Sequence, residues 1–334
     1  MIKVAIVGCG NISRLHFAAV NDNPALSLVA AVDIKPERAR KYAEKYGINA
    51  YTSYEEMLEK EKPDCVHICT PHYLHTPYAI TALKKNISVF CEKPCSVSDE
   101  EVEALRNAQE KSSAHFGVCF QNRYNRCIEY IREAAATGKT GKLTAVRAFI
   151  TWDRGESYYS DDWHGTLEKE CGCLLINQAI HTLDLIEYIG GNAVSVTAHI
   201  MNDHLQGVIE GEDTATVLLE LSSGAKAVFY GTTAYSSNAP VLIEAAYENV
   251  TFRTEGERLF EIGKNGTITE IPLDEQTAGG KKYWGSGHPT IIGDFYESIA
   301  ENRPFGVDAF SGGNAPKVVF AAYRSSKTGK KVEL

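Results

Sequence analysis

Val4-Ala5-Ile6-Val7-Gly8-Cys9-Gly10-Asn11-Ile12-Ser13 is the stretch that decides the fold. An apolar run ends at a glycine, a second glycine follows one residue later, and a helical pattern opens at Ile12. This is the strand–turn–helix grammar of a dinucleotide-binding unit. The first glycine makes the tight turn, and the second lets the backbone approach a pyrophosphate. The helix start then supplies N–H groups and partial positive charge. Gly8, Gly10, Asn11 and Ile12 are therefore candidate cofactor contacts. The third position of the fingerprint is Ser13, small enough for the helix to pack on the strand. Asp33 closes the next apolar run, about 20 residues on, where a carboxylate accepts hydrogen bonds from adenosine ribose hydroxyls. It would repel a 2′-phosphate, which favours NAD over NADP; it equally suits a cap on the following helix. Arg38 either lies over the adenine or is an ordinary solvated helix charge.

From there to Val118 two periods alternate. Apolar runs at 3–7, 28–32, 64–68, 87–90 and 115–118 are separated by helical patterns at 12–20, 36–46, 54–60, 75–84 and 98–111. Continuous apolar strands between helices predict a parallel sheet covered on both faces. Pro36 suits a helix start, and Ser98-Asp99-Glu100-Glu101 reads as a capping box. Beyond residue 142 the grammar changes. A strand at 142–152 and a helix at 174–189 precede strand-like runs at 193–201, 213–221, 225–233, 240–246, 249–254 and 258–262. Helices at 290–301 and 311–327 follow. Strands with short turns predict a mixed or antiparallel sheet. The expected class is α/β, with a Rossmann domain over 1–122 and an α/β domain with a large open sheet over 123–334.

At 334 residues, 44% hydrophobic and 23% charged, the chain has the balance of a globular protein with two sizeable cores. Its net charge of −9 disfavours nucleic acid and anionic membranes as partners. No apolar run approaches the ~18 residues of a membrane helix, and Met1–Gly10 lacks the build of a signal peptide. With nine cysteines, an odd count, the expectation is a reducing cytoplasm and no disulfide framework. Cys171-Gly172-Cys173 lacks a second pair at zinc-like spacing, so no metal is expected.

Chemistry concentrates at three places. Val89-Phe90-Cys91-Glu92-Lys93-Pro94 ends a strand, at the sheet edge where open α/β sheets bind ligands. A lysine there stabilises a developing alkoxide or does acid–base work, unless it is a plain surface lysine. Cys69-Thr70-Pro71 ends the preceding strand along the cofactor path. His75 either approaches the nicotinamide ribose or caps its helix. In the second half, Asn177, His181 and Asp184 stand at i, i+4 and i+7, one face of a continuous helix. His181 suits a general base, Asp184 would fix its tautomer, and Asn177 would hold a substrate hydroxyl; a satisfied core histidine is the plainer reading. Tyr158-Tyr159-Ser160-Asp161-Asp162-Trp163-His164-Gly165 suits a sugar-pocket wall or a subunit interface.

Taken in order, Gly8-Cys9-Gly10, Cys69-Thr70-Pro71, Glu92-Lys93-Pro94, Gly172…His181…Asp184 and Gly287-His288-Pro289…Asp294-Phe295 resemble the glucose–fructose oxidoreductase, inositol dehydrogenase and rhizopine-catabolism (Gfo/Idh/MocA) oxidoreductases. The resemblance runs most of the chain. It implies an NAD-dependent oxidoreductase acting on a sugar or polyol, with a C-terminal sheet that forms homodimers or homotetramers. Lys93 matches the catalytic lysine, His181 the catalytic histidine, and Asp184 a carboxylate that touches substrate. Glu92 belongs with the cofactor contacts, and Trp163 and His164 would sit on the nicotinamide side, with Tyr158 at the substrate. There are three departures: Asn177 stands where many relatives have Asp, the glycine cluster before the helix is reduced, and His164 replaces an Arg. Two other readings keep the fold: a cofactor-binding sugar sensor, and an enzyme whose transient oxidation permits elimination of a glycoside.

Overall fold

The computed structural model describes residues 1–273 and 287–334. The chain divides into two compact units, one comprising 1–120 with 288–313, the other 121–287 with 314–334.

The first unit is built on a six-stranded parallel sheet. Its strands are β1 (Ile2–Val7), β2 (Leu26–Val32), β3 (Asn49–Tyr51), β4 (Cys65–Ile68), β5 (Ser88–Cys91) and β6 (Phe116–Val118), in the order β3-β2-β1-β4-β5-β6. This is the expected doubly wound Rossmann sheet. β4 and β5 are buried along their whole length, as strands covered on both faces must be. The helices are α1 (Ser13–Asn21), α2 (Pro36–Tyr46), α3 (Tyr54–Glu61), α4 (His75–Leu83) and α5 (Asp99–Glu110). Ser98 caps α5 by accepting the Glu101 N–H at 3.2 Å, as its sequence pattern predicts.

The second unit holds α6 (Arg126–Ala136), β7 (Leu143–Thr151), α7 (Ile180–Gly190), β8 (Ala193–Met201), β9 (Thr214–Leu221), β10 (Lys226–Thr232), β11 (Leu242–Tyr247), β12 (Val250–Glu255), β13 (Arg258–Gly263) and β14 (Ile268–Ile271). The chain then passes through α8 (His288–Ala300) and α9 (Ala309–Gly312) of the first unit. It ends in α10 (Asn314–Thr328) and β15 (Val332–Glu333) of the second. The nine-stranded sheet runs β14-β13-β12-β11-β7-β10-β9-β8-β15; β7 and β10 are parallel and the other pairs antiparallel. α7 lies over β7 and α10 over β8, covering one face. Among the described residues no helix is long and apolar enough to cross a membrane.

Three differences from the sequence reading have physical causes. The stretch 288–313 packs with the first unit, not with 123–334: Tyr296 bonds His67, and Phe295 packs 5.0 Å from Phe90. An amphipathic pattern shows that a helix covers a sheet, but not which sheet. The short strands β3, β14 and β15 carry too few residues to show a period. The segment 174–189 is not one α-helix: Leu174–Gln178 is a π turn, closed by the Ala179 N–H on the Leu174 carbonyl at 2.7 Å, and α7 begins only at Ile180.

Candidate active site

In the first unit the strand ends are in register. Val7 pairs with Val32 and Ile68, Ile68 with Cys91, and Cys91 with Val118. The residues that follow them, Gly8, Asp33, Cys69-Thr70 and Glu92-Lys93, therefore share the carboxyl edge of the sheet. Gly8 has φ +90, and a Cβ there would stand 2.5 Å from the Cys69 carbonyl oxygen, so β4's approach demands glycine. At Gly10 no protein atom lies within 4 Å of a Cβ position. Ser13, fully buried, donates to the Gly10 carbonyl at 2.7 Å and fixes the loop. No side chain caps α1 at Ile12, and Asn11 is exposed. Asp33 accepts the Cys9 N–H on one oxygen and the Lys35 N–H on the other, both at 2.8 Å, which holds the carboxylate beside the glycine turn. Arg38 is exposed on α2. The Thr70 hydroxyl is buried with no hydrogen-bond partner, unusual for a buried polar group. An open second glycine, an uncapped helix start, a tethered acid and an orphan hydroxyl on one edge fit a dinucleotide.

Lys93 is half-buried just past β5, and its bond to Pro94 is cis. His75 spans the two neighbouring loops, with Nδ1 2.7 Å from the Pro94 carbonyl and Nε2 2.7 Å from the Thr70 carbonyl. It thus joins the Thr70-Pro71 turn to the lysine turn, and burial holds its pKa below the ordinary value. Glu92 turns inward: it is 5% exposed and accepts from His16 Nε2 at 2.9 Å.

In the second unit the π turn displaces Asn177 from the i, i+4, i+7 stripe. Asn177 lies in the turn and donates to the fully buried carboxylate of Glu170, whose other oxygen accepts the Gly165 N–H. Left-handed backbone at Cys171 (φ 65) and Gly172 (φ 139) makes this reversal. Gly172 is obligatory, because a Cβ would stand 2.0 Å from the Tyr323 hydroxyl, which bonds Glu212 at 3.0 Å. Gln178 donates to the Tyr158 hydroxyl at 3.2 Å, and burial pushes the Tyr158 pKa up to about 12. Arg154 stacks 5.4 Å over the Tyr158 ring and bonds Asn238. His164 Nδ1 lies 2.6 Å from Asp161, with its ring against Trp163 and Tyr158. His181 is half-buried, one residue into α7.

Asp184 is placed on Arg123, not on His181. Arg123 donates to Asp184 Oδ2 from Nε at 2.8 Å and to Oδ1 from Nη2 at 2.5 Å, with both residues buried. Burial raises the Asp184 carboxyl above its ordinary value, with the Arg123 guanidinium pulling against that rise, while the carboxylate raises Arg123 against its own burial.

Residues 2–120 match the family described as oxidoreductase family, NAD-binding Rossmann fold, and residues 128–260 match the GFO/IDH/MocA C-terminal domain. The chain belongs to the Gfo/Idh/MocA oxidoreductase family. It is similar to myo-inositol 2-dehydrogenase of Thermotoga maritima, at 25% identity over 100% of this chain and 98% of the relative. D-glucoside 3-dehydrogenase of Escherichia coli is 26% identical over 100% and 97%. Among solved structures, the WlbA dehydrogenase from Bordetella pertussis, in complex with NADH and UDP-GlcNAcA, superposes with a TM-score of 0.86 at 26% identity, over 100% of this chain and 98% of that one. This Gfo/Idh/MocA chain is an NAD-binding enzyme of the sugar and polyol dehydrogenases. Sequence reasoning did not single out Glu170, Arg123, Arg154, Gln178 and His16, which contact the candidate residues Asn177, Asp184, Tyr158 and Glu92 within their own units. His16 had a signal, a polar residue one turn after Ser13 on the buried face of α1; the others depend on loop paths that no period encodes.

Proposed function

We propose that the enzyme oxidises a CH–OH group of an uncharged sugar or polyol, or reduces the matching carbonyl, with Lys93 and His181 as its acid/base pair. The observation that carries the reading is the shared strand edge of the first unit, where the glycine turn, Asp33, Thr70 and Lys93 follow strands in register.

Gly8, Gly10, Asn11 and the start of α1 at Ile12 would hold the NAD pyrophosphate, Asp33 the adenosine ribose, and Thr70, Pro71 and His75 the nicotinamide half. When bound, NAD supplies the hydride acceptor or donor. His181 takes the proton of the reacting hydroxyl as the C–H bond is lost to hydride transfer. The Lys93 ammonium stabilises the negative charge on that oxygen while it becomes a carbonyl. Tyr158 and Asn177 bind neighbouring hydroxyls. Glu170, bonded to Asn177, supplies a buried carboxylate next to a position where many relatives carry Asp. Asp184, bonded to Arg123, fixes the helix that carries His181. Trp163 and His164 complete the nicotinamide-side contacts.

Lys93→Ala and His181→Ala are each expected to lose about 100-fold or more in turnover while still binding NADH, read by fluorescence titration. Full turnover in the double variant would refute the assignment.

We also propose a homodimer or homotetramer formed through the uncovered face of the second sheet. There Leu218 and Val228, 51% and 42% exposed, are directly paired across β9 and β10.

A further inference from the structure

In the first unit, main-chain bonds tie β4 to β5 as far as the Glu92 N–H on the Ile68 carbonyl. Past that point the Thr70-Pro71 turn and the Lys93-Pro94 turn are bridged by an imidazole. His75 opens α4 and is 1% exposed; its Nδ1 lies 2.7 Å from the Pro94 carbonyl oxygen and its Nε2 lies 2.7 Å from the Thr70 carbonyl oxygen. A carbonyl oxygen only accepts, so each ring nitrogen has to donate. A neutral imidazole carries one N–H, and its bare nitrogen would set lone pair against lone pair at this distance. The geometry is therefore that of the imidazolium, with two N–H donors for two turns.

The two sides of the bridge differ. On the Pro94 side, the Thr76 hydroxyl donates to the Cys95 carbonyl at 2.8 Å, so α4 stays tied there whatever the charge of His75. On the other side, the Thr70 hydroxyl is buried with no hydrogen-bond partner among the described residues, which suits a group kept for a ligand.

We propose that His75 is a positioning residue that works as a proton-operated clamp: as the imidazolium it holds the Thr70 and Pro94 turns at one spacing for the nicotinamide half of the cofactor, and as the neutral ring it lets the Thr70 turn go. This rests on the placement of Thr70 and Pro71 against that half given above. Burial is the largest influence on His75 and lowers it from 6.5, while the bonds to Pro94 and Thr70 pull it back. Of the charged side chains that follow β5, Glu92 favours the charged ring and Lys93 opposes it. In the turn before α4, the His72 ring stands 5.9 Å away. Cys69 and Cys95, next to the two carbonyl residues, are kept as thiols by burial. The clamp therefore closes as pH falls through a midpoint below 6.5 and opens above it.

The test titrates the full-length protein, carrying nitrogen-15 histidine, by NMR between about pH 5 and pH 8. The His75 signals are those missing from His75→Gln. NADH affinity is read by fluorescence at the same pH values within minutes of mixing, with ADP-ribose, which lacks the nicotinamide, as control. The expected result is two protonated ring nitrogens at the acid end and loss of one proton with a midpoint below 6.5. NADH affinity should fall about fivefold or more through that same midpoint, and ADP-ribose affinity should not follow it. His75→Gln, which offers an amide donor and does not titrate, should bind NADH as weakly at the acid end as the wild type does at the alkaline end. The proposal is overturned by a single ring proton throughout the range, or by NADH affinity that ignores the His75 midpoint. A folded His75→Gln that keeps the wild-type pH dependence overturns it too. If that variant does not fold, His75 is assigned from His75→Asn and the wild-type curves decide. The assay reads no turnover, so its failure is separable from failure of the dehydrogenase reading, which the turnover of Lys93→Ala decides.

Discussion

At the residue scale, the two glycines of the first turn do different work, and the difference can be measured. Gly8 is required by the fold, because any side chain there meets the backbone of Cys69. A Cβ at Gly10 meets nothing of the protein within 4 Å, and we propose that its bareness serves the cofactor. Gly10→Ala should therefore leave the melting temperature within about 2 °C of wild type while NADH affinity drops about tenfold or more. Equal losses in both would show that Gly10 is structural. The placement of the glycine turn, Asp33 and Lys93 at one sheet edge was legible in sequence because it follows from strand ends, which the apolar runs mark. Glu170 was not. It stands seven residues before Asn177, and only the left-handed turn at Cys171-Gly172 brings the two together. Asp184 was legible as a buried polar residue, but its partner Arg123 is 61 positions away, outside the reach of any local pattern.

At the element scale, the π turn and α7 carry the candidate substrate-side residues, and α7 buries two carboxyl groups, Asp184 and Glu187. Glu187 lies one turn beyond Asp184 and is 7% exposed. One of its oxygens accepts the Ala193 N–H at 2.9 Å, and the other is buried without a partner. Burial raises its pKa from 4.5 to about 7, with the Asp184 charge adding to the effect. A carboxyl whose folded value is raised binds more protons folded than unfolded. The stability it contributes is present below pH 4.5 and lost as pH rises through 7. Glu187→Gln keeps the acceptor for Ala193 and removes the titration. Its stability relative to wild type should therefore rise by about 2–3 kcal/mol between pH 5 and pH 8, measured by urea denaturation at the two values. A difference independent of pH would mean that Glu187 is already ionised at pH 5. The wide turn at Leu174–Gln178 is a lesson at this scale too: its residues fit a helical period, and only the i→i+5 bond to Ala179 distinguishes π from α.

At the scale of the whole molecule, the fold class was readable because the two sheets obey different grammars. Buried runs between helices gave the parallel sheet, and alternating runs with short turns gave the mixed one. The return of 288–313 to the first unit was not readable, since it depends on aromatic packing around Phe90 and the His67–Tyr296 bond. The open face of the second sheet is the proposed assembly surface. Light scattering should report a dimer or tetramer for the wild type and a monomer for Leu218→Glu with Val228→Lys. A wild-type monomer would remove the proposal. The central claim concerns hydride transfer to or from a sugar or polyol, and it is tested most directly by NADH absorbance. Purified protein, NAD and a panel of free sugars, inositols and simple glycosides should give NADH with at least one member, at a rate cut by about 100-fold or more in Lys93→Ala or His181→Ala. A protein that binds NADH yet forms none with any member, and oxidises none with the matching keto-sugars, would contradict it.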